Sequence, residues 1–295
     1  MTASALANIA LGGIFHAAVL FLVAAGLQLV FGVQKILNLA CGSFYALGAY
    51  FGITATTLFA QYGMPAWMLL PALIVCGLAL GVVGPPIERM LRTVYNRDES
   101  FQLLLTFALL LMFQDVLRFF WGATPRSVSV DYLVYGTVTI GDFRVPVYNL
   151  LVILAALLIA LGLNLYLKRT NYGRVLRATA ENRGMAEALG VNVRMVYAAV
   201  FTAGTMLGTI AGALVVPTAA ASLDIAVELV VEAFAVVVIG GLGSMPGALV
   251  GALIVGLIRA FSLIIYPEFD LLATYLIVIG VLLWRPAGLF GKPAT

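Results

Sequence analysis

Long continuous apolar runs are the feature that most constrains the fold of this chain. A helix that spans a bilayer needs about 20 mostly apolar residues, and several such runs follow one another along the 295-residue sequence. Hydrophobic residues make up 63% of the chain and charged residues only 10%, against about 25% charged in a soluble domain. The sequence therefore excludes an ordinary soluble enzyme, a disordered chain and a nucleic-acid-binding protein.

Within lipid, every backbone N–H and C=O group must be hydrogen-bonded inside the protein, which leaves helices or closed barrels. Since the apolar runs are continuous rather than alternating, they favour helices. We predict an all-α polytopic membrane protein with one transmembrane domain over residues 1–295 and eight or nine spanning helices. The predicted segments are 8–31, 36–59, 65–83, 101–121, 147–167, 196–216, 226–239, 248–265 and 271–284. Segments 36–59 and 226–247 are the two that could be broken or re-entrant, and Pro85 and Pro86 are expected to end the third segment.

The positively charged residues predict the orientation, because cytoplasmic loops collect Lys and Arg. With the N-terminus outside and the C-terminus inside, most of the sixteen basic residues fall on the cytoplasmic side. These are Lys35, Arg89, Arg92, Arg97, Lys168, Arg169, Arg174, Arg177, Arg183, Arg194, Arg285 and Lys292. The loop 168–195 is therefore expected in the cytoplasm and the loop 122–146 outside. In the outer loop, polar and apolar residues alternate over 127–135, which predicts a short surface hairpin.

Motifs for bond-making chemistry do not occur in the sequence. It has no P-loop for nucleotide hydrolysis, no nucleophile elbow and no zinc-protease helix. We therefore predict a chain that is not an enzyme and holds no cofactor of its own. One histidine, His16, and two separated cysteines do not make a metal site. Asp115 and Arg118 are spaced to meet on one helix face, as a self-neutralising structural pair or as part of a proton relay.

The loop 168–195 carries the most informative local pattern. Good helix formers over 179–189, followed by Gly190 as a C-cap, predict a short amphipathic helix. Two i, i+4 ion pairs are expected on it, Arg177–Glu181 and Arg183–Glu187. Such a helix is suited to docking in a groove of a soluble partner. A solvated surface helix has the same pattern and stays an alternative.

At these residues the sequence resembles a known family. Residues 168–192 resemble the coupling segment of ABC importer permeases of the branched-chain amino-acid type (LivH-like). Three further stretches, 26–50, 239–248 and 285–291, resemble the family's N-terminal, late glycine-rich and C-terminal signatures. Their order and spacing match over nearly the whole chain. Cys41 is a departure, because relatives commonly carry histidine before this Gly-Ser turn, and nothing that depends on that histidine carries over.

The resemblance implies a division of labour among several proteins. This chain would be one half of a transmembrane channel in a bacterial inner membrane and would pair with a second, related permease as a heterodimer. Two cytoplasmic ATPase subunits would bind ATP and magnesium, and an extracytoplasmic binding protein would deliver the substrate. Closure of the ATPases on ATP would move the coupling helix and switch the spans between outward-open and inward-open states.

The resemblance also implies roles for particular residues. Contacts with the ATPase would come from the coupling segment, at Arg174, Arg177, Ala180, Glu181, Asn182, Ala186, Leu189 and Gly190. The translocation pathway or its moving parts are expected at small and polar residues at membrane depth, namely Asn38, Gly42, Ser43, Gly243 and Ser244. Breaks in membrane helices need the same residue types for structural reasons, and that alternative stays open.

The substrate is not specified by any pocket that can be identified in the sequence. The resemblance implies branched-chain or similar hydrophobic amino acids, with urea, short amides or aromatic acids as alternatives within the same family. A stand-alone secondary transporter and a membrane-bound enzyme or scaffold also stay open. Detection of a soluble partner docked on 168–192 would distinguish an importer from a stand-alone transporter and from an enzyme or scaffold.

Overall fold

In the computed structural model of the chain, residues 3–95, 97–128, 135–140, 143–265, 270–285 and 287–291 are described. Twelve helices account for most of them. They are α1 (Ala3–Gln34), α2 (Cys41–Gln61), α3 (Leu69–Leu80), α4 (Gly84–Leu91), α5 (Glu99–Trp121), α6 (Val147–Arg169), α7 (Asn171–Glu181), α8 (Arg183–Ala188), α9 (Val193–Val215), α10 (Ile225–Gly240), α11 (Met245–Ile265) and α12 (Asp270–Trp284). The prediction of a mostly helical chain is confirmed.

Six helical stretches within the described residues are long and apolar enough to cross a membrane. They are Leu6–Gln34, Leu69–Val94, Glu99–Trp121, Val147–Arg169, Val193–Val215 and Met245–Ile264. The protein is therefore a multi-pass helical membrane protein. Helix α10 has 16 residues, about 24 Å at 1.5 Å per residue, which is shorter than the about 30 Å hydrocarbon core. The total of eight or nine crossings stays a prediction.

The third predicted segment extends past the two prolines that were expected to end it. A short 3-10 turn, Gly81–Val83, follows α3, and α4 then begins with Pro85 and Pro86 in its first turn. Proline is tolerated there because the first N–H groups of a helix have no intrahelical acceptor. The helical stretch therefore continues past Pro85 and Pro86 to Val94, against the expectation that they end it, although its last turns carry Glu88, Arg89 and Arg92.

The loop between α5 and α6 contains two strands among its described residues, so the chain is not purely helical. Strands β1 (Thr137–Ile140) and β2 (Phe143–Pro146) pair antiparallel, with Thr137 opposite Pro146. The hairpin predicted over 127–135 falls largely on 129–134, which lies outside the described residues. The observed hairpin follows that segment directly.

Helices α1 and α9 form the centre of the bundle. In the most apolar window of each, 72% of the residues are buried within the protein, against 28% in α5 and 11% in α6. Helix α1 packs against α9 and α11, and α2 and α3 pack against α9. Leu154, Leu158 and Leu161 of α6 are exposed, as expected for a surface that faces lipid.

The bundle has two ends that we name for their main features. At the loop end, α1 ends beside the start of α9, where the Gln34 side chain donates to the Tyr197 carbonyl at 2.8 Å. The helices α7 and α8 pack at this end. At the cavity end, α1 begins, α9 ends and α10 begins, and a cavity opens among them.

Candidate functional site

A cavity of about 630 Å³ opens at the cavity end of the bundle. Its walls come from α1, α2, α10, α11 and the connection between α9 and α10. Most of the lining is apolar or small, including Ile9, Leu229 and Leu263. A volume between about 300 and 1,000 Å³ is typical of sites for small molecules. The cavity is therefore large enough to hold a small solute.

Three ionisable side chains from distant parts of the sequence meet at the cavity wall. The Nε2 atom of His16 lies 3.0 Å from Oε2 of Glu232 and 3.1 Å from Nη1 of Arg259. Arg259 donates to the other carboxylate oxygen of Glu232, forming an ion pair. We call these residues the cavity cluster. It joins α1, α10 and α11, which the sequence separates by more than 200 residues at its widest.

The cavity cluster has a buried acid and two partly exposed basic partners. The Glu232 side chain is 2% exposed, whereas His16 and Arg259 are 27% and 24% exposed and line the cavity. An ionised carboxylate in a membrane interior requires a paired charge, and both oxygens of Glu232 have a basic neighbour. Ionisable residues in such segments mark functional sites more often than structural ones.

A second acid lies on the same wall of the cavity. Glu228 is four residues before Glu232 on α10, so the two side chains share one helix face, and both line the cavity. Glu228 is exposed. Tyr45 of α2 also reaches the lining. The cavity therefore offers groups of both signs next to apolar walls.

Three of the predicted pathway residues lie in the interior at the start of α2, and none of them is among the described residues that line the cavity. Asn38 is buried, and its side-chain oxygen accepts from the Ala40 N–H at 3.1 Å. The Ser43 hydroxyl donates to the Leu110 carbonyl of α5 at 3.3 Å. Gly42 packs against the backbone carbonyl of Ala226, so closely that a Cβ would collide with it. These contacts fix the start of α2, and a role in the pathway stays a prediction.

Gly243 and Ser244, the other two predicted pathway residues, lie in the turn between α10 and α11. The Gly243 N–H donates to the side-chain oxygen of Gln28, whose amide in turn donates to the Gly241 carbonyl at 2.9 Å. The Ser244 hydroxyl accepts from the Gly247 N–H at 3.2 Å and caps α11. Gln28 of α1 therefore holds this turn from both sides.

The glycine-rich turn is also bound to the end of the chain. The N–H groups of Leu289 and Phe290 donate to the carbonyls of Ile239 and Gly240, at 2.8 and 3.1 Å. The late glycine-rich stretch and the C-terminal stretch, which the sequence analysis singled out separately, thus form one structural unit.

A second buried acid lies at the loop end. Glu88 of α4 is 0% exposed and pairs with Arg92 one turn later, at 2.8 Å from Nε to Oε1 and 2.6 Å from Nη2 to Oε2. The Tyr95 hydroxyl lies 3.2 Å from Glu88 Oε1 and 3.4 Å from Gln34 Oε1. Arg92 also donates to the Arg194 carbonyl of α9 at 2.9 Å. We call Glu88, Arg92, Tyr95 and Gln34 the loop-end cluster.

Tyr95 is a hydrogen-bond donor in this cluster. Burial, together with the neighbouring Glu88 carboxylate, raises the pKa of the Tyr95 hydroxyl well above its ordinary value. The hydroxyl therefore keeps its proton at physiological pH and can donate it to the carboxylate. The cluster ties α1, α4 and α9 together, and none of its residues lines the cavity at the other end of the bundle.

The predicted coupling segment forms two short helices rather than one helix over 179–189. The chain breaks at Asn182, whose side chain accepts from the Met185 N–H at 2.9 Å and caps α8. Asparagine competes with the helical backbone in this way and is favoured at such a cap. Gly190 follows α8 with a positive φ of 84°, as expected for a residue that ends a helix.

Most of the predicted ATPase contacts are exposed on these two helices. Arg174, Arg177, Glu181, Asn182, Leu189 and Gly190 are exposed, and Ala180 is half-buried. Ala186 is buried and packs α8 onto the bundle, and its contact with an ATPase stays a prediction. Arg183 pairs with Glu187 at 3.1 Å as predicted. The second predicted ion pair, Arg177–Glu181, is not among the ion pairs of the described residues.

The α7–α8 segment contacts the loop-end cluster through aromatic rings. The guanidinium of Arg183 lies 5.7 Å from the ring centre of Tyr197, and that ring meets Tyr95 edge-on at 5.6 Å. Tyr197 is buried at the start of α9. A movement of α8 would therefore act directly on α9 and on the cluster.

Two expectations about charges need correction. Asp115 and Arg118 are both exposed on α5. The ion pair expected between them is not found among the described residues. The second concerns His16, which the sequence presents as a lone histidine, whereas in the structure Glu232 and Arg259 join it. A signal was present in the sequence, since all three residues lie inside apolar runs long enough to span a membrane.

Comparison with known proteins groups the chain with transport proteins. The family described as branched-chain amino acid transport system / permease component matches residues 9–284. The chain is 27% identical over 280 residues to the high-affinity branched-chain amino acid transport system permease protein BraD of Pseudomonas aeruginosa, covering 92% of this chain and 91% of that protein. It is 28% identical over 282 residues to the corresponding protein LivH of Escherichia coli K12, with the same coverage.

An archaeal relative is similar over a comparable length. The probable branched-chain amino acid transport permease protein LivH of Methanocaldococcus jannaschii is 28% identical over 287 residues, covering 91% of this chain and 84% of that protein. No solved structure matches the chain.

Proposed function

The chain belongs to the branched-chain amino acid transport permease family, and from that premise we propose that it forms one transmembrane half of an ATP-binding-cassette importer. The proposed substrates are branched-chain or similar hydrophobic amino acids. The observation that carries the proposal is the match over residues 9–284, together with relatives that align along 92% of this chain. The likeness therefore concerns the entire bundle and not a single motif.

The proposed importer has several other subunits. A second, related permease completes the channel as a heterodimer, two ATPase subunits bind ATP and magnesium, and a binding protein delivers the substrate. The chain would lie in a bacterial inner membrane with its N-terminus outside and its C-terminus in the cytoplasm. The loop end, with its exposed α7–α8 helices, then faces the ATPases, and the cavity end faces the binding protein.

The packing of the loop end supports a coupling mechanism. In the proposal, ATP-driven closure of the ATPases pushes on the exposed side of α7 and α8. Arg183 and Tyr197 pass this movement to α9, and the loop-end cluster links α9 to α1 and α4. Since α1 and α9 form the centre of the bundle, a tilt of both would open one end of the pathway while it closes the other.

Affinity purification from native membranes in mild detergent, followed by mass spectrometry, tests the subunit composition. We expect ATPase subunits and a second permease in the eluate. Recovery of this chain alone, from membranes in which such ATPases are detectable, would favour a stand-alone secondary transporter instead. The ATP requirement of uptake by the reconstituted complex separates the two classes a second time.

The coupling role is tested by Gly190→Pro. Proline fixes φ near −65°, which is incompatible with the φ of 84° at this position, and it removes the N–H that donates to the Glu187 carbonyl at 3.0 Å. We expect uptake to fall to the background level while the protein still inserts into the membrane. Gly190→Asn is the matched control, because asparagine tolerates positive φ, and should keep most of the activity. Normal uptake by Gly190→Pro would overturn the coupling assignment.

The chemistry of the cavity favours an amino acid over the alternative substrates of the family. Urea and short amides carry no net charges and little apolar surface. The cavity combines groups of both signs, at Glu228, Glu232 and Arg259, with apolar walls. Competition of leucine uptake by urea, by acetamide and by phenylacetate measures this preference, and we expect leucine and its aliphatic relatives to compete best.

A further inference from the structure

We propose that the cavity holds a binding site for the charged end of a zwitterionic amino acid, with Arg259 and His16 facing its α-carboxylate and Glu228 facing its α-ammonium group. The inference rests on the proposed function and adds the residues of this chain that would contact the substrate. It makes the permease itself, and not only the delivering protein, a point of substrate recognition.

The basic side of the site comes from the cavity cluster. Arg259 and His16 are held in place by Glu232, whose two carboxylate oxygens each have one of them as a neighbour. About a quarter of each basic side chain stays exposed and lines the cavity. Glu232 also borders the cavity but is only 2% exposed, so at this point a solute meets mainly the two basic side chains. Guanidinium groups suit carboxylates because their N–H groups match the carboxylate geometry.

The acidic side of the site comes from Glu228. It lies one helical turn from Glu232 on the same face of α10, which corresponds to about 6 Å along the helix. The side chain lines the cavity and makes no hydrogen bond or ion pair with the described residues. Glu228 is therefore one turn from the acid that holds Arg259, and it can serve the ammonium group of a molecule whose carboxylate lies against that guanidinium.

The apolar walls complete the match to an amphiphilic solute. Ile9 of α1, Leu229 of α10 and Leu263 of α11 line the same cavity. A branched aliphatic side chain would lie against them while both charged groups stay paired. A simple anion would leave Glu228 unpaired, and a simple cation would leave the basic pair unused. An aliphatic zwitterion is therefore the class of ligand that satisfies the described lining best.

The test uses the whole transporter, with its partner permease, ATPases and binding protein, reconstituted in proteoliposomes. The initial rate of tritiated leucine uptake is measured with the binding protein loaded and in saturating excess, so that capture outside is equal for all variants. Glu228→Gln should lower the rate roughly tenfold or more, because it removes the negative charge that strengthens the hydrogen bond to the ammonium group. Glu228→Asp keeps the carboxylate and should restore part of it.

Asp224→Asn is the matched control, because Asp224 is an exposed acid one turn before Glu228 that does not belong to the described cavity lining. It should change uptake less than twofold. Equal melting temperatures and equal basal ATP hydrolysis for wild type and Glu228→Gln exclude a folding defect. Uptake by Glu228→Gln at the wild-type rate would overturn the site while leaving the importer intact. A wild-type complex that takes up no branched-chain amino acid would overturn the proposed function, and this site with it.

Discussion

Two buried glutamates, Glu232 at the cavity end and Glu88 at the loop end, have almost the same burial and very different surroundings. Each is paired with an arginine, and each joins three helices of the bundle. Glu88 is 0% exposed, and its neighbours Arg92 and Tyr95 do not line the cavity. The partners of Glu232 border a cavity of about 630 Å³.

The difference shows that the burial of an acid does not by itself identify a site. A buried carboxylate whose partners lie away from the cavity fixes the geometry of its neighbours, even though Arg92 is itself 31% exposed. A buried carboxylate whose partners line the cavity can also orient them toward a solute. The cavity beside the partners, and not the exposure of the acid or of its partners, therefore distinguishes the two clusters.

The largest expected effect is on the stability of the loop end. Arg92→Ala removes the charge that pairs with fully buried Glu88, and an uncompensated buried charge costs about 3–5 kcal/mol. Arg259→Ala should cost less, roughly 1–3 kcal/mol, because His16 remains and water from the cavity reaches Glu232. Unfolding of both variants by denaturant in mixed micelles measures the two free energies. Equal losses of unfolding free energy in the two variants would contradict the distinction between the clusters.

A smaller effect is expected from the packing that holds the wall of the cavity. Gly42→Ala places a Cβ against the Ala226 carbonyl, which separates α2 from the start of α10 at a cost of about 1–3 kcal/mol. Gly32→Ala is the matched control, because a Cβ at Gly32 of α1 meets no neighbouring atom. It should be neutral or slightly stabilising. The same unfolding assay compares them, and a stable Gly42→Ala protein would show that this crossing is loose.

The smallest effect is expected where an ion pair lies on the surface. Arg183→Gln breaks the pair with Glu187, in which both side chains are about half exposed. Exposed pairs contribute less than about 1 kcal/mol, and salt weakens them. Stability should therefore change little, and the small difference should vanish at high ionic strength. A loss as large as that of Arg92→Ala would mean that the contact of Arg183 with Tyr197 carries far more than a surface interaction does.

The helical architecture could be predicted because it depends on local composition. Long apolar runs form helices in lipid whatever their partners are, so most of the predicted segments coincide with helices of the structure. The details that failed depend on single residues. Pro85 and Pro86 begin α4 instead of ending a span, and Asn182 divides the expected coupling helix in two.

The cavity cluster could not be derived in the same way, because it depends on contacts between distant helices. His16, Glu232 and Arg259 lie on α1, α10 and α11, and no sequence spacing brings them together. Their position inside apolar runs was the available signal. The predicted residues Gly42 and Ser43 were chosen for their size and polarity, and the structure places both in helix contacts.

The contact between the first and eleventh helices has a consequence for biosynthesis. Helix α1 packs most extensively against α11, and Leu289 and Phe290, after the last helix, bond to the end of α10. About two hundred residues separate α1 from α11, which a ribosome adds in roughly 10–40 s at about 5–20 residues per second. During this time His16 has no ion-pair partner. We therefore expect the insertion machinery to shelter α1 until translation is nearly complete.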